Sequence, residues 1–239
     1  MLAIGAGVLA DSAPSEAHTR AGERRMVALP GATSIVLNGD TAISWRKHDK
    51  HIEVWLERGE IALVLREAPL PLLVHGGKAS ALLEPGRYNA RLTGGLLDVG
   101  VIRGTAALSI SNTVSADGSG SIVKANEAAL VGRETHLHPM NSKQVEALLA
   151  WPHGEIVFND EPLSVAIERY NRQSPVRLVL GDPALGNIRV GGRFTSSNPN
   201  SFLKALRASF DIRAERTDKA VVLMGGKKFI RSDLAVPAS

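Results

Sequence analysis

Between residues 20 and about 130 the apolar positions come in short runs, many of them alternating with polar ones. Met26 to Leu29, Ser34 to Leu37, Ile43 to Trp45, Ile52 to Trp55 and Ile61 to Leu65 form a first group. Leu70 to Val74, Ala79 to Leu83, Tyr88 to Leu92, Leu96 to Ile102 and Ala106 to Ser111 form a second. Alternation with a period of two places one side chain in the core and the next in water, so these runs predict strands. Pro30-Gly31, Asn38-Gly39, Gly59-Glu60, Gly76-Gly77, Gly94-Gly95 and Asp117-Gly118 predict turns at or between them. Strands recurring about every ten residues, with no helical period, predict a mainly β domain built as a β-roll, a sandwich or a short solenoid.

The pattern changes near residue 135. Asn141 to Leu149 predicts a short helix leading to Trp151, and Glu155 to Asn159 a strand. Pro162 can open a helix, where its missing N–H costs nothing. Leu163, Ala166, Ile167 and Tyr170 then share one face at helical spacing. Val176 to Leu180 and Ile188 to Phe194 predict strands, with a turn at Asp182-Pro183. Asn198 can cap a second helix, with Pro199 behind it and Phe202, Leu203, Leu206 and Phe210 on its apolar face. Ile212 to Glu215 and Ala220 to Met224 close the region as strands around the turn Thr217-Asp218-Lys219. Strand, Pro-led helix and strand thus occur twice, predicting a small α+β module of repeated β-α-β units. Phe158, Pro162, Leu163, Ile167, Phe202 and Leu206 are its expected core.

Composition narrows the function classes. Of 239 residues, 44% are hydrophobic and 22% charged, which suits a globular chain with a sizeable core. There is no cysteine, so disulfides, thiolate metal sites and thiol catalysis are excluded. Aromatics are only 4%, which argues against a base-stacking single-strand binder. A net charge of +4 spread along this length is a solvated surface before it is a nucleic-acid footprint. Met1 to Ala10 carries no charge and is too short to span a membrane, and no basic residues precede it as in a signal peptide. It is either a frayed start or the tail of a transmembrane helix beginning further upstream.

Candidate chemistry is sparse. His136 and His138 have a spacing that suits metal ligation, but no third ligand is evident. His48 and His51 flank an expected turn and read as solvated, and His153 reads as packing beside Trp151. The sequence offers no G-x-S-x-G elbow. Gly76-Gly77-Lys78 lacks the first glycine of a phosphate loop and reads as a hairpin turn, and Ser119 to Ser121 as a small loop. No catalytic, metal or cofactor site is assigned. Lys204, Arg207, Arg213, Arg216 and Lys219 gather positive charge near the second carboxyl helix. They are either its wet face or a docking face for an acidic protein.

Several segments carry a resemblance. Thr19-Arg20-Ala21-Gly22-Glu23-Arg24-Arg25-Met26-Val27-Ala28-Leu29-Pro30-Gly31, then Val36-Leu37-Asn38-Gly39, resembles the opening of the FecR-family periplasmic domain. Leu56 to Ile61, Arg87-Tyr88-Asn89-Ala90-Arg91 and Val101-Ile102-Arg103-Gly104 resemble later segments of it. Trp151-Pro152-His153-Gly154 through Phe158, Asp160, Pro162 and Leu163 resembles the family's W-x-x-G-x-x-x-F-x-D-x-P-L. The repeated carboxyl half is similar to the secretin/TonB short N-terminal module. Coverage runs from about residue 19 to 224.

The resemblance implies a non-enzymatic regulator of an extracytoplasmic-function sigma factor, anchored in the inner membrane of a Gram-negative bacterium and working in the periplasm. It implies two partners: the signalling domain of a TonB-dependent outer-membrane transporter in iron or chelate uptake, and a sigma factor met through a cytoplasmic region absent here. In that frame residues 1–18 are the end of the span and a linker, and 19–135 the β-rich domain. Residues 136–150 are a helical connector, 151–226 the α+β module and 227–239 a tail. Membrane contact is then confined to the amino-terminal span, with no nucleic acid and no cofactor. The expected partner-binding residues are Ile188, Val190, Arg193, Phe194, Arg213 and Arg216, with edge-strand pairing the expected mode. Some members cleave themselves at a Gly-Thr bond before the R-F-N-V-R segment. Here that position reads Pro85-Gly86, which offers no nucleophile, so no cleavage is expected there. A periplasmic glycan-binding protein or enzyme on a β-sandwich, or a piece of an envelope assembly, is the alternative.

Overall fold

The computed structural model describes residues 14–29, 33–66, 70–110 and 120–226. Met1 to Ala10, Pro30-Gly31, Asp117-Gly118 and the tail lie outside them. The first thirteen strands are β1 (Ser15–His18), β2 (Arg25–Leu29), β3 (Thr33–Leu37), β4 (Ala42–Lys47), β5 (Ile52–Leu65), β6 (Leu72–Gly76), β7 (Ala79–Leu83), β8 (Gly86–Thr93), β9 (Leu96–Arg103), β10 (Thr105–Ile110), β11 (Ser121–Lys124), β12 (Glu127–Val131) and β13 (Thr135–Pro139). They form one 13-stranded sheet folded over on itself. One half runs β1-β4-β5-β6-β7-β10-β11 and the other β2-β3-β5-β8-β9-β12-β13. The hairpins β6-β7, β8-β9, β10-β11 and β12-β13 fall alternately in the two halves. The inner faces meet in one core, with Ile43, Val54, Leu72, Val74 and Leu108 from the first half and Ile35, Ile61, Leu63, Tyr88 and Val99 from the second. The expected mainly β domain is therefore a two-layered sandwich.

Strand β5 belongs to both halves. Its first part pairs with β4 and β6, and its second with β3 and β8. The buried positions are Ile52, Val54 and Leu56, then Ile61, Leu63 and Leu65. Even positions face the core before residue 57 and odd ones after 60. A single extra residue explains the change of phase: Ala42 pairs with Arg58 but Ile43 with Leu56, leaving Glu57 unmatched. The expected turn at Gly59-Glu60 is thus a bulge inside one 14-residue strand. Gly59 sits at φ +89°, and a Cβ there would lie 2.3 Å from the Thr41 hydroxyl and 2.7 Å from the Thr41 Cα. Only glycine fits both limits.

Three further corrections concern edges. Ser15–His18, expected in the linker, is β1 and pairs with β4. Ser121, expected in a loop, opens β11. Residues 136–139, expected in a helical connector, belong to β13, the outermost strand beyond β12. These segments are short, with at most one buried position each, so their pairing comes from a neighbour rather than from their own pattern.

The rest is α1 (Ser142–Ala150), β14 (Glu155–Pro162), α2 (Leu163–Gln173), β15 (Leu178–Leu180), β16 (Arg189–Thr195), α3 (Asn200–Phe210), β17 (Arg213–Arg216) and β18 (Val221–Met224). Asn141 and Gln144 form a capping box that starts α1. Asn198 Oδ1 accepts from the Asn200 N–H at 2.9 Å at the head of α3. The β-α-β order repeats as expected, but the units interlock. β14 pairs with β16 across the repeats, and β18 sits between β15 and β17. The helices fill the space between the two small sheets, where Phe158, Leu163, Ile167, Tyr170, Phe202 and Leu206 form a second core. Pro162, expected in that core, is only half-buried; it ends β14 and is the N-cap of α2, one residue before the first helical position. Among the described residues, no helix is long and apolar enough to cross a membrane.

The bulge generates a prediction. Gly59→Ala should destabilise the chain by about 2 kcal/mol or more, from the left-handed backbone and the close approach of Thr41. Urea denaturation measures it, and an unchanged midpoint would mean that the phase of β5 does not depend on this residue.

Candidate interaction site

The outer face of the half containing β8 and β9 is covered by α1 and the carboxyl module. At that seam Trp151 is buried, and its indole Nε1 donates to Asn89 Oδ1 at 2.9 Å. Asn89 Nδ2 donates to Glu60 Oε1 at 3.1 Å, and Asn38 Nδ2 donates to Glu60 Oε2 at 2.8 Å. Asn38 Oδ1 accepts from the Gly39 N–H at 2.9 Å. The indole can only donate and the carboxylate can only accept, so both amides have one permitted orientation. Thr41 Oγ1 closes the chain at the bulge, accepting from the Glu60 N–H at 3.1 Å. Asn38, Glu60, Asn89 and Trp151 come from four separate segments that the sequence comparison singled out. None of them read as a site, because amides and a lone carboxylate give no signal until they are brought together.

Backbone packing reinforces the seam. A Cβ on Gly39 would lie 2.1 Å from the Arg172 carbonyl oxygen, and one on Gly22 would lie 2.3 Å from the Pro175 nitrogen. Both glycines therefore let the end of α2 seat directly on the sandwich. The Gly22 N–H also reaches the Arg172 carbonyl at 3.4 Å.

Beside this chain of bonds lies a cleft of about 390 Å³ between sandwich and module, lined by Glu60, Arg91, Asp98, His138, Arg169 and Arg172 among others. Burial raises the Asp98 carboxyl above its usual pKa, against the pull of Arg91 and His138. Burial also lowers the Arg172 guanidinium, with Arg91 adding to the effect. Arg169 pairs with Glu161 and donates to the Val157 carbonyl at 3.1 Å. The cleft holds charges of both signs, with Arg169 paired to Glu161 and Glu60 held by Asn38 and Asn89.

The six expected partner-binding residues fall into two groups. Val190 is buried, Ile188 is half-buried, and Phe194 packs on Phe202 at 4.9 Å between ring centres, so these side chains belong to the module's own core. Arg193 is ion-paired with Glu146 and Glu155. Arg213 and Arg216 are exposed on β17, and Arg216 donates to Asn200 Oδ1 at 2.8 Å. Among the described strands, β16 pairs only with β14 and β17 only with β18, so each has one open edge. Arg189, Gly191 and Arg193 alternate outward along β16, opposite Val190. Pro85-Gly86 leads into β8. A Cβ on Gly86 would lie 2.1 Å from the Arg103 carbonyl oxygen, which gives that glycine a packing reason. The Tyr88 hydroxyl donates beside it, lying 2.7 Å from the Glu84 carbonyl and 2.9 Å from that of Thr105.

Residues 15–107 match the family model described as FecR protein. This part of the chain is a FecR domain. It runs from β1 into β10, so Asn38, Glu60 and Asn89 lie inside the FecR domain and Trp151 beyond it. Two crystal structures of a candidate anti-sigma factor from Parabacteroides distasonis ATCC 8503, at 2.50 and 1.65 Å resolution, share the fold. Each gives a TM-score of 0.67 at 22% identity, over 89% of this chain and 99% of the other. That span takes in the carboxyl module as well as the FecR domain. No curated protein matches the chain.

Two predictions follow from the seam geometry. Trp151→Phe keeps the ring but leaves Asn89 Oδ1 buried without its donor. It should cost about 1–3 kcal/mol, read as a lower urea midpoint and faster proteolysis between the FecR domain and the module. Asp98 gives a pH signature. Its folded pKa lies above the unfolded one, so its penalty is absent below the unfolded pKa and grows as pH rises through the folded pKa. Asp98→Asn should therefore stabilise the chain at neutral pH and lose that advantage in acid. An equal effect at both pH values would mean that the carboxyl is not desolvated as described.

Proposed function

We propose that this chain is the signal-receiving part of a sigma-factor regulator. The FecR domain and its carboxyl module act as one body in the periplasm. The module receives the signalling domain of a TonB-dependent outer-membrane transporter in iron or chelate uptake. A region preceding these residues carries the signal across the inner membrane to an extracytoplasmic-function sigma factor. The role is relay through binding, with no bond made or broken.

The observation that carries this reading is the seam. A FecR domain alone is a sandwich with no evident output. Here its Asn38, Glu60 and Asn89 are spent on holding Trp151, and with it the module, in one orientation. A partner docked on the module then acts on the FecR domain through a rigid joint. The solved anti-sigma candidate of the same two-part fold supports the reading. The open edges of β16 and β17 supply a docking mode, because an added strand gains main-chain hydrogen bonds without a deep pocket. Arg213 and Arg216 would steer an acidic partner to β17.

Calorimetric titration of the full chain with the amino-terminal signalling domain of the TonB-dependent transporter encoded beside it tests this. One-to-one binding at micromolar Kd or tighter is expected, weakened roughly tenfold by reversing charge at Arg213 and Arg216. Binding that ignores both changes would move the face away from β17. No binding by a correctly folded sample would sink the relay.

A further inference from the structure

On the sandwich face away from the module, the first part of β5 points Glu53 and Trp55 outward. The β4–β5 turn brings His48 and His51 to the same place, with the His48 N–H donating to the His51 carbonyl at 2.8 Å. His75 of β6 stands opposite Trp55 in the parallel register. Three imidazoles thus surround one carboxylate. His51 Nε2 lies 3.2 Å from Glu53 Oε1, His48 Nε2 lies 3.4 Å from Glu53 Oε2, and His75 Nε2 lies 3.9 Å from Glu53 Oε1. One ligand atom from each of His48, His51 and Glu53 falls within 4.8 Å of the others. The His48 and His51 rings stack at 4.5 Å, and His75 stacks on Trp55 at 5.3 Å.

Of the two histidines expected to be solvated at this turn, the His51 side chain is 38% exposed and that of His48 only 27%; the His75 side chain on β6 is 11% exposed. Among the described residues, His48 Nε2 and both ring nitrogens of His75 are buried without a hydrogen-bond partner. Such orphans are rare, and each one calls for a missing partner. Water could meet one of them. It would not explain why three imidazoles, two from a turn and one from β6, converge on one carboxylate of β5.

We propose that His48, His51, Glu53 and His75 form a binding site for one divalent transition-metal ion of the zinc type. Ligands bonded at about 2.0–2.1 Å in a tetrahedron stand about 3.3 Å apart. The His51 Nε2 to Glu53 Oε1 and His48 Nε2 to Glu53 Oε2 contacts, one to each carboxylate oxygen, are near that spacing, and His75 Nε2, 3.9 Å from Oε1, stands outside this group of three and closes in to complete the set when the ion binds. Imidazole nitrogens with one carboxylate and no thiolate suit zinc and its neighbours, and not calcium or magnesium, which take oxygen shells. Four protein ligands leave no open position, so the ion is structural: it pins the 48–51 turn to β6 across β5.

The test uses the full chain, stripped with chelator and titrated with zinc chloride. One zinc per chain is expected, with a rise of roughly 5–10 °C in Tm at about 100 times Kd. Cobalt(II) should give the intense visible bands of a tetrahedral site. His75→Gln and Glu53→Gln should each weaken binding by about 100-fold, with folding checked by circular dichroism, while His153→Gln leaves it unchanged. In the unmodified chain, zinc should shift the imidazole resonances of His48, His51 and His75 and no others, which needs no variant. Absent saturable binding, an octahedral cobalt spectrum, or binding untouched in folded His75→Gln and Glu53→Gln chains would each overturn the proposal.

Discussion

The whole molecule hangs on one extra residue in one strand. Without the bulge at Glu57 to Gly59, β5 would keep a single phase, and either Ile52, Val54 and Leu56 or Ile61, Leu63 and Leu65 would face water. With it, both sets face the common core and the sheet can fold over. The same residue decides what the strand shows outside. Glu53 points out on one layer, among the histidines, and Glu60 on the other, beneath the module. A strand that belongs to two layers also ties them covalently, so neither layer can slip against the other.

The second constraint is polar. An interface between a sandwich and an α+β module could be held by apolar contact alone, but such contact sets area and not angle. The chain from Trp151 through Asn89 to Glu60 and Asn38 sets the angle, because each donor has one acceptor. Leaving any member unpaired while buried costs more than the bond itself contributes, so the seam resists partial opening. Under the proposed relay, displacement at the module would reach the FecR domain instead of being absorbed at a hinge.

Much of this was legible in the chain. The period-two runs located most strands of the sandwich, and Pro162, Pro199 and the 3.6-period faces located α2 and α3. The misplacements share a cause. β1, β11 and β13 are short and weakly patterned, so they become strands only by pairing with an existing edge. The bulge resembles a turn in the sequence because a glycine between two alternating runs gives the same pattern for a turn and for a change of phase. The segments that carried the family resemblance each read separately, and their shared purpose at the seam did not.

What the sequence determined by itself is the list of local preferences: which residues alternate, where helices can start, and that no thiol chemistry is available. Those preferences act over a few residues and need no fold to be read. Tertiary structure alone decided which preferences meet. It moved Ile188, Val190 and Phe194 from an expected surface into a core, left Arg213 and Arg216 exposed on an open edge, and drew His48, His51 and His75 around Glu53. Contacts between residues 20 or more positions apart depend on sheet register, and register is a property of the paired strands together.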